Sequence, residues 1–573
     1  MMQWFILYFK SNKPLFILFF IWTLSEILIN PIGNFPLNDD WAYAKDVQNL
    51  VLYNKFELSN WQVIPLLTQI IYGYLVCIPF GFSFTVLRFS TIIISAIGIF
   101  FSYKIAIKAS VNKNIAAISA AIIAFNPIYL QLTNTFMSDV PFLTMSIIAS
   151  FYFIQFEKKE KPVDFFWAVL FTCLALMSRQ IGIVISIAFC LSWLLLKKRN
   201  LKNFFIAFSP ILVSLFFLFT YQHIIAHFDK LPIGYNFQFF MLIDAVLHPT
   251  FEILKKVAFY LITASIGLGI FITPIILPLI KTFLKKNIFS KAESITLLAI
   301  STTYFLIIIV KLYLTNYYIP FSGNIIYSFG LGPVIMPDAI SYALTTMNGI
   351  EKFVWISLTI IGTVSILFFI AIIIDVLKRM KQRKYNFFQK TPFQFVFFSG
   401  IIILYIVPLS FIYISDRYLI FVLVFLIYIL SAYIPLIDNT QFLKFYSYRI
   451  VLFFLPILLF SIAATHDYLA WNKARWHALN YLVYEQKISP KEIDGGFEFN
   501  AWYLFDFSKY HPEINKKWWW VEKDNYLVTM SLVKGTSLIK KYNYYKWLSL
   551  KESYVFITKR TSKAIDPICR IKL

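Results

Sequence analysis

Asn38-Asp39-Asp40-Trp41-Ala42-Tyr43-Ala44 sets two adjacent carboxylates a few residues beyond the first apolar run of a chain that is mostly apolar. Two neighbouring charges at a membrane boundary are costly unless they coordinate or cap something. This stretch is therefore the first candidate for chemistry. Its meaning depends on what surrounds it, and on which side of a bilayer it falls.

Working outward, 59% of the 573 residues are hydrophobic, whereas soluble chains sit nearer about 45–50%. Apolar runs of roughly 17–25 residues, each long enough to span a bilayer, recur about thirteen times. They lie near 14–31, 84–106, 115–132, 141–156, 163–180, 181–196, 203–221, 257–280, 294–314, 352–375, 393–414, 418–437 and 450–466. The third to sixth are short or closely joined. The runs are continuously apolar rather than alternating, which predicts helices and not a barrel. The expected fold class is an all-α polytopic membrane protein.

The net charge of +23 is a topology signal. Basic residues cluster in alternate loops: Lys10 and Lys13; Lys104, Lys108 and Lys113; Lys158, Lys159 and Lys161; Lys197, Lys198, Arg199 and Lys202. The pattern continues at Lys281 to Lys291, at Lys378 to Lys384, and at Lys444 and Arg449. Positive charge at every second loop marks the cytoplasmic side. It predicts a cytoplasmic N-terminus and puts Asp39 and Asp40 outside. Such charge favours anionic lipid headgroups and gives no nucleic-acid footprint. The basic, apolar N-terminal segment lacks a small-x-small cleavage site before Pro31 and reads as an uncleaved first helix. Cys77, Cys173 and Cys190 fall in or near membrane segments and Cys569 stands alone, so neither a disulfide framework nor a metal-binding pair is expected.

With the N-terminus inside, the first outer loop is long, residues 31–83. It contains Asp39-Asp40 and a half-apolar stretch, Trp61 to Phe80. Pro65, Gly73, Pro79 and Gly81 interrupt that stretch, which reads as an interfacial helix. The second outer loop is short and centres on Met137-Ser138-Asp139-Val140-Pro141. Two later outer loops, Gln222–Lys256 and Thr315–Glu351, are longer and aromatic-rich. From about His466 the composition turns polar. Residues 1–466 read as the membrane domain, and 467–573 as a small α/β domain outside. Within it, Trp471–Glu485 reads as a helix and Tyr526–Leu532 and Tyr554–Thr558 as strands.

Ionisable residues inside the spans, namely Glu26, Arg88, Arg179, Lys311 and Asp416-Arg417, lie toward the outer end. Transporters place such groups at the midplane. Gathering them at one face favours an interfacial reaction site. Asp39, Asp40 and Asp139 sit at the outer ends of the first and third spans and meet if those helices are neighbours. Transfer of a sugar from a lipid phosphate needs a base for the acceptor hydroxyl. It also needs a cation to neutralise the leaving phosphate, either Arg or Lys, or Mg²⁺ or Mn²⁺ on hard oxygen ligands. The structural alternative is that Asp39 and Asp40 cap the helix starting at Trp41. Asp139 likewise begins the fourth span.

These motifs resemble the GT-C superfamily of polyprenyl-phosphate-dependent glycosyltransferases. The similarity is to the family 39-like branch of protein O-mannosyltransferases and lipid A aminoarabinose transferases. The resemblance rests on Asp39-Asp40-x-x-Tyr43-Ala44 and Asp139-x-Pro141-Phe142. Leu87-Arg88-Phe89, Ser178-Arg179-Gln180 and Arg417-Tyr418 are weaker echoes. The resemblance implies a GT-C fold and Asp39 as catalytic base or metal ligand, with Asp139 its partner and Asp40 assisting. It implies that Tyr43 faces the donor phosphate, with Arg88, Arg179 and Arg417 as further phosphate contacts. A divalent metal held by Asp39 and Asp139 is the implied cofactor if one is used. The sequence departs from the branch at Ala42, where Arg is usual. It departs again at Gln62-Val63-Ile64-Pro65, where a Lys-Pro-Pro segment is usual.

The expected activity is inverting sugar transfer from a polyprenyl phosphate to a protein, lipid or glycan acceptor. It is placed at the outer face of a bacterial inner membrane, with the bilayer and the lipid-linked sugar as partners. Its rivals are an O-antigen polymerase or ligase and a lipid flippase. Three lesser signals are read structurally. His223 and His227 are spaced as a metal pair without a third ligand. Gly495-Gly496-Phe497-Glu498-Phe499-Asn500 reads as a turn into a strand, and Trp518-Trp519-Trp520 as core packing.

Overall fold

The computed structural model describes residues 12–561 apart from 111, 229–230, 233, 286–288, 316–317, 328–329, 336–348, 383–391, 438–439, 507–519 and 522. Each of the thirteen apolar runs is helical. The helices, numbered from the N-terminus, begin with α1 (Lys13–Ile29), α2 (Asp40–Tyr53), α3 (Leu67–Phe80), α4 (Phe84–Ser110), α5 (Lys113–Ala124) and α6 (Pro127–Thr133). Next come α7 (Asp139–Lys159), α8 (Pro162–Ser178), α9 (Ile183–Leu196), α10 (Leu201–His227), α11 (Phe237–Leu247) and α12 (Phe251–Lys285). The series ends with α13 (Lys291–Thr315), α14 (Gly349–Gln382), α15 (Pro392–Ile412), α16 (Leu419–Ile437), α17 (Thr440–Asn480) and α18 (Phe497–Leu504). Among the described residues nine helices are long and apolar enough to cross a bilayer, and the bent pair α5–α6 makes a tenth. The chain is a multi-pass membrane protein.

The third run is two helices because Pro127 has no N–H to continue the first. The Asn126 side chain caps the new start by accepting from Ile128 N and Tyr129 N, and the axis turns by 67°. The Trp61–Phe80 stretch forms the 14-residue α3, too short to span. Helices α7 and α16 make the centre of the bundle, each 83% buried over its most apolar stretch, whereas α13 is 6% buried there and lies at the edge. Cys77, Cys173 and Cys190 are buried free thiols, and Cys569 lies outside the described residues.

The composition break near His466 is not a backbone break. Helix α17 runs straight through it to Asn480 and continues as a π turn over Tyr481–Glu485. Beyond it the C-terminal region forms a four-stranded sheet in the order β1-β2-β4-β3, with β1 (Ile493–Asp494), β2 (Tyr526–Thr529), β3 (Thr536–Lys546) and β4 (Lys551–Arg560). Strand β1 pairs parallel with β2, and the other pairings are antiparallel. Asp467 on α17 ties the sheet down, its carboxylate accepting from Trp547 N (2.7 Å) and Leu548 N (3.0 Å) in the β3–β4 turn. Gly495-Gly496 turns the chain into helix α18 and not into a strand. The φ of +86° at Gly496 suits glycine.

Candidate active site

Four breaks in helices meet at one end of the bundle. Asp39 is the residue before α2 and makes no capping hydrogen bond. Asp139 opens α7, next to Ser138. Arg179 is the extended residue between α8 and the 3-10 turn Gln180–Gly182 (φ −150°, ψ 130°). That turn needs glycine, because a Cβ on Gly182 would lie 2.7 Å from the Leu176 backbone nitrogen. Arg417 lies in the 3-10 turn Asp416–Tyr418 that leads into α16.

These side chains form two crossed acid–base pairs. Arg179 Nη2 lies 2.8 Å from Asp139 Oδ2, and Arg179 Nε donates to Ser138 Oγ at 3.1 Å. Arg417 Nη1 lies 3.6 Å from Asp39 Oδ2, while Trp61 Nε1 donates to Asp39 Oδ1 at 3.0 Å. A narrow crevice is lined by Asp139, Arg179 and Arg417 with Tyr405, Phe142 and Phe421. Its wall is aromatic: Phe421 stacks on Phe142 at 5.0 Å and on Tyr405 at 4.2 Å. The Tyr418 ring lies 5.7 Å from the Arg179 guanidinium and 5.4 Å from that of Arg417. Tyr43 is buried and within electrostatic reach of both carboxylates and both guanidiniums.

Burial raises the Asp39 carboxyl above its ordinary value. Arg417 and the Trp61 hydrogen bond pull it back, while the nearby Asp139 and Glu498 charges raise it further. Its side chain keeps 18% exposure, so it is reachable as well as basic. Arg417 is different. Its Nε and Nη1 are buried with no hydrogen-bond acceptor, although guanidinium nitrogens usually find one. Buried donors beside carboxylates suit an oxyanion entering the crevice.

Two expected site residues are placed elsewhere. Arg88 is absent from the crevice wall. Its Nη1 donates to the carbonyls of Pro31 (2.5 Å) and Gly33 (3.2 Å) and its Nη2 to that of Phe35 (3.1 Å), holding the loop before Asp39. Neither aspartate caps α2 with its side chain; Asp40 instead ties loops together. Its oxygens accept from Leu37 N (2.6 Å) and Phe136 N (3.0 Å), joining the loop before α2 to the loop before α7. Burial pushes its carboxyl up to about 7 despite those two bonds.

A divalent metal is a poor fit to this donor set. Each carboxylate already faces a guanidinium, and among the described residues no three His, Cys, Asp or Glu side chains gather to hold an ion. His223 and His227 are exposed on α10 and belong to no such group. Sequence reasoning gave no site role to Trp61 or Tyr405, and noted Asp416 only as a charge at the end of a span. Asp416 accepts from Ile325 N (2.9 Å) and Ile326 N (2.7 Å), anchoring part of the loop after α13 beside Arg417. Its place immediately before Arg417 was the available signal. Of the three tryptophans at 518–520, only Trp520 lies among the described residues. It packs against Trp41, Trp61, Phe497 and Phe505.

Residues 65–223 match the family described as dolichyl-phosphate-mannose-protein mannosyltransferase. The matched segment includes Arg88, Asp139 and Arg179. The chain is thus similar to GT-C glycosyltransferases, as its motifs indicated, and the similarity supports a glycosyltransferase. Two solved structures are also similar. The first is ArnT from Cupriavidus metallidurans bound to undecaprenyl phosphate, at 10% identity and TM-score 0.47, covering 97% of this chain and 99% of that one. The second is the same protein in the apo state, at 10% identity and TM-score 0.39, covering 88% and 84%. No curated protein matches the chain.

Proposed function

We propose that this protein transfers a sugar from a polyprenyl-phosphate donor to an acceptor hydroxyl or amine at the non-cytoplasmic membrane surface, with inversion at the anomeric carbon. The observation that carries this reading is the Arg417 guanidinium, which faces Asp39 at 3.6 Å, lines the crevice with Asp139 and has two buried nitrogens without a hydrogen-bond acceptor. It supplies fixed positive charge beside a base. Sugar transfer from a phosphate needs those two things together.

In this mechanism the donor phosphate enters the crevice beside Arg417 and Arg179, with Tyr43 at its edge. The acceptor approaches the exposed side of Asp39. Asp39 takes the acceptor proton as the new bond forms to the anomeric carbon. The bond from that carbon to the phosphate oxygen breaks with its electron pair, and polyprenyl phosphate leaves as an anion. The guanidiniums stabilise the charge that develops on this oxygen, a term worth about 3–4 kcal/mol per donor in comparable sites. A single displacement of this kind inverts the sugar. Asp139 holds Arg179 in place through the 2.8 Å pair.

The test is reconstitution with a labelled polyprenyl-phosphate sugar. The Asp39→Asn protein should lose transfer by about 10²–10⁴-fold while remaining folded. Full activity in that variant overturns the base assignment. Lipid movement without transfer, indifferent to Asp39→Asn, would point to a flippase instead.

A further inference from the structure

Asn38 presents Asp39 from a left-handed backbone conformation, φ +57°. Asn tolerates that conformation better than most residues, but it still needs support. The support comes from three directions. The Asn38 N–H donates to Glu498 Oε1 at 3.1 Å. Its Nδ2 donates to Asn324 Oδ1 at 3.2 Å, and its own Oδ1 accepts the Asp39 N–H at 2.9 Å. Glu498 stands 460 residues away, on α18, and is 5% exposed.

Glu498 is itself held. Arg475 Nη1 lies 2.9 Å from its Oε2, and Arg475 Nε and Nη2 donate to the Gly495 carbonyl at 2.9 and 2.6 Å. One carboxylate oxygen thus faces the last long helix and the other faces the loop that carries Asp39. Gly496 leaves room for this arrangement, since a Cβ there would lie 2.7 Å from Arg475 Nη2. A second arm reaches the Asp39 side chain. The Trp61 ring, whose Nε1 donates to Asp39 Oδ1, packs on Phe497 (5.9 Å), Phe505 (6.0 Å) and Trp520 (5.5 Å).

We propose that Glu498 is a positioning residue for Asp39, so that the C-terminal region, with Phe497, Phe505 and Trp520, forms a working part of the transfer site. This rests on reading Asp39 as the base. Two contacts on one carboxylate and the aromatic packing around Trp61 fix both the backbone and the side chain of that base. Small displacements of a reacting group are costly.

The full-length protein in nanodiscs tests this with Glu498→Ala, Glu498→Gln and Trp61→Phe. Glutamine keeps an oxygen for the Asn38 N–H, while alanine removes it. For Glu498→Ala, kcat per folded molecule should fall about tenfold or more, with KM for the lipid-linked donor within about threefold. Glu498→Gln should recover most of the loss. Trp61→Phe keeps the ring but removes the Asp39 bond and should lower kcat several-fold, roughly as one lost hydrogen bond does. Unchanged kcat per folded molecule in both Glu498→Ala and Trp61→Phe overturns the proposal.

Hydrogen exchange gives a reading that does not depend on the reaction. The Asn38 and Asp39 amides should exchange roughly tenfold faster in Glu498→Ala, and should stay protected in Glu498→Gln. Equal protection in all three proteins overturns the positioning role of Glu498. A wild-type protein that transfers no sugar would count against the transferase reading alone, because the exchange result still decides whether Glu498 holds Asp39.

Discussion

Asp39 and Asp40 are neighbours in the chain, yet the ionic groups built on them use charge in opposite ways. Around Asp40 the partners are backbone. Its carboxylate accepts two peptide N–H groups, and Arg88 beside it directs its terminal nitrogens to three loop carbonyls. Around Asp39 the partners are side chains: Trp61, Arg417 and, across the crevice, Asp139 with Arg179. The first group shapes a loop. Both groups keep a buried guanidinium nitrogen without an acceptor, Nε on Arg88 and Nε with Nη1 on Arg417, but only the second group lines the crevice and leaves its carboxylate, Asp39, 18% exposed. Proximity in sequence therefore assigns neither aspartate its role. What each oxygen meets does.

The sharpest way to break this contrast is to remove the cation that faces Asp39. Arg417→Gln should lower kcat/KM by about 10²–10³-fold, the usual loss when a group stabilising a developing anion is deleted. The protein should stay monodisperse in detergent. Transfer assays on purified protein check it, and near-wild-type rates would merge the two groups into one structural class.

Arg88→Met tests the other side. Arg88 is 1% exposed, and breaking a buried charged network costs about 3–5 kcal/mol. The variant should therefore show a lower melting temperature and yield. Because Arg88 holds the loop before Asp39 without lining the crevice, the variant's KM for the lipid-linked donor should stay within about threefold of wild type, with any loss confined to kcat and below about tenfold. A loss comparable to that of Arg417→Gln would return Arg88 to the reaction.

A smaller effect tests the Asp39 base by pH. Burial, its largest influence, raises Asp39 above the ordinary carboxylate value of 3.8. Only the deprotonated form accepts a proton, so activity should rise with pH through a limb lying above that value. The kcat/KM profile between pH 4 and 8 checks this. A rate flat down to about pH 4 would mean that no raised carboxylate serves as base.

Much of the architecture was legible because one physical quantity dominates it. Apolar length marks each helix, and the thirteen runs fall on helices with ends shifted by a few residues. The exceptions have local causes. Pro127 splits one run, and α17 carries the last span past the composition change at His466. Strand β3 escaped notice because its Lys-Lys-Tyr-Asn-Tyr-Tyr-Lys segment has no apolar alternation, as expected of an edge strand whose side chains are mostly exposed.

In the site, Asp39, Asp139, Arg179 and Arg417 could be picked out because charge at the end of a span is rare. Arg88 obeyed the same rule for a different reason, since carbonyls in an irregular loop at the membrane boundary need donors too. Glu498 and Trp61 were not legible. Their roles come from contacts across hundreds of residues or from packing between regions, and no local pattern encodes either.

A binding titration of polyprenyl phosphate to the purified protein in nanodiscs tests the role of Arg417 most directly. Wild type and Arg88→Met should bind with similar affinity, whereas Arg417→Gln should bind at least about tenfold more weakly, as loss of a charge-assisted phosphate contact requires. Equal binding by Arg417→Gln and wild type would contradict it.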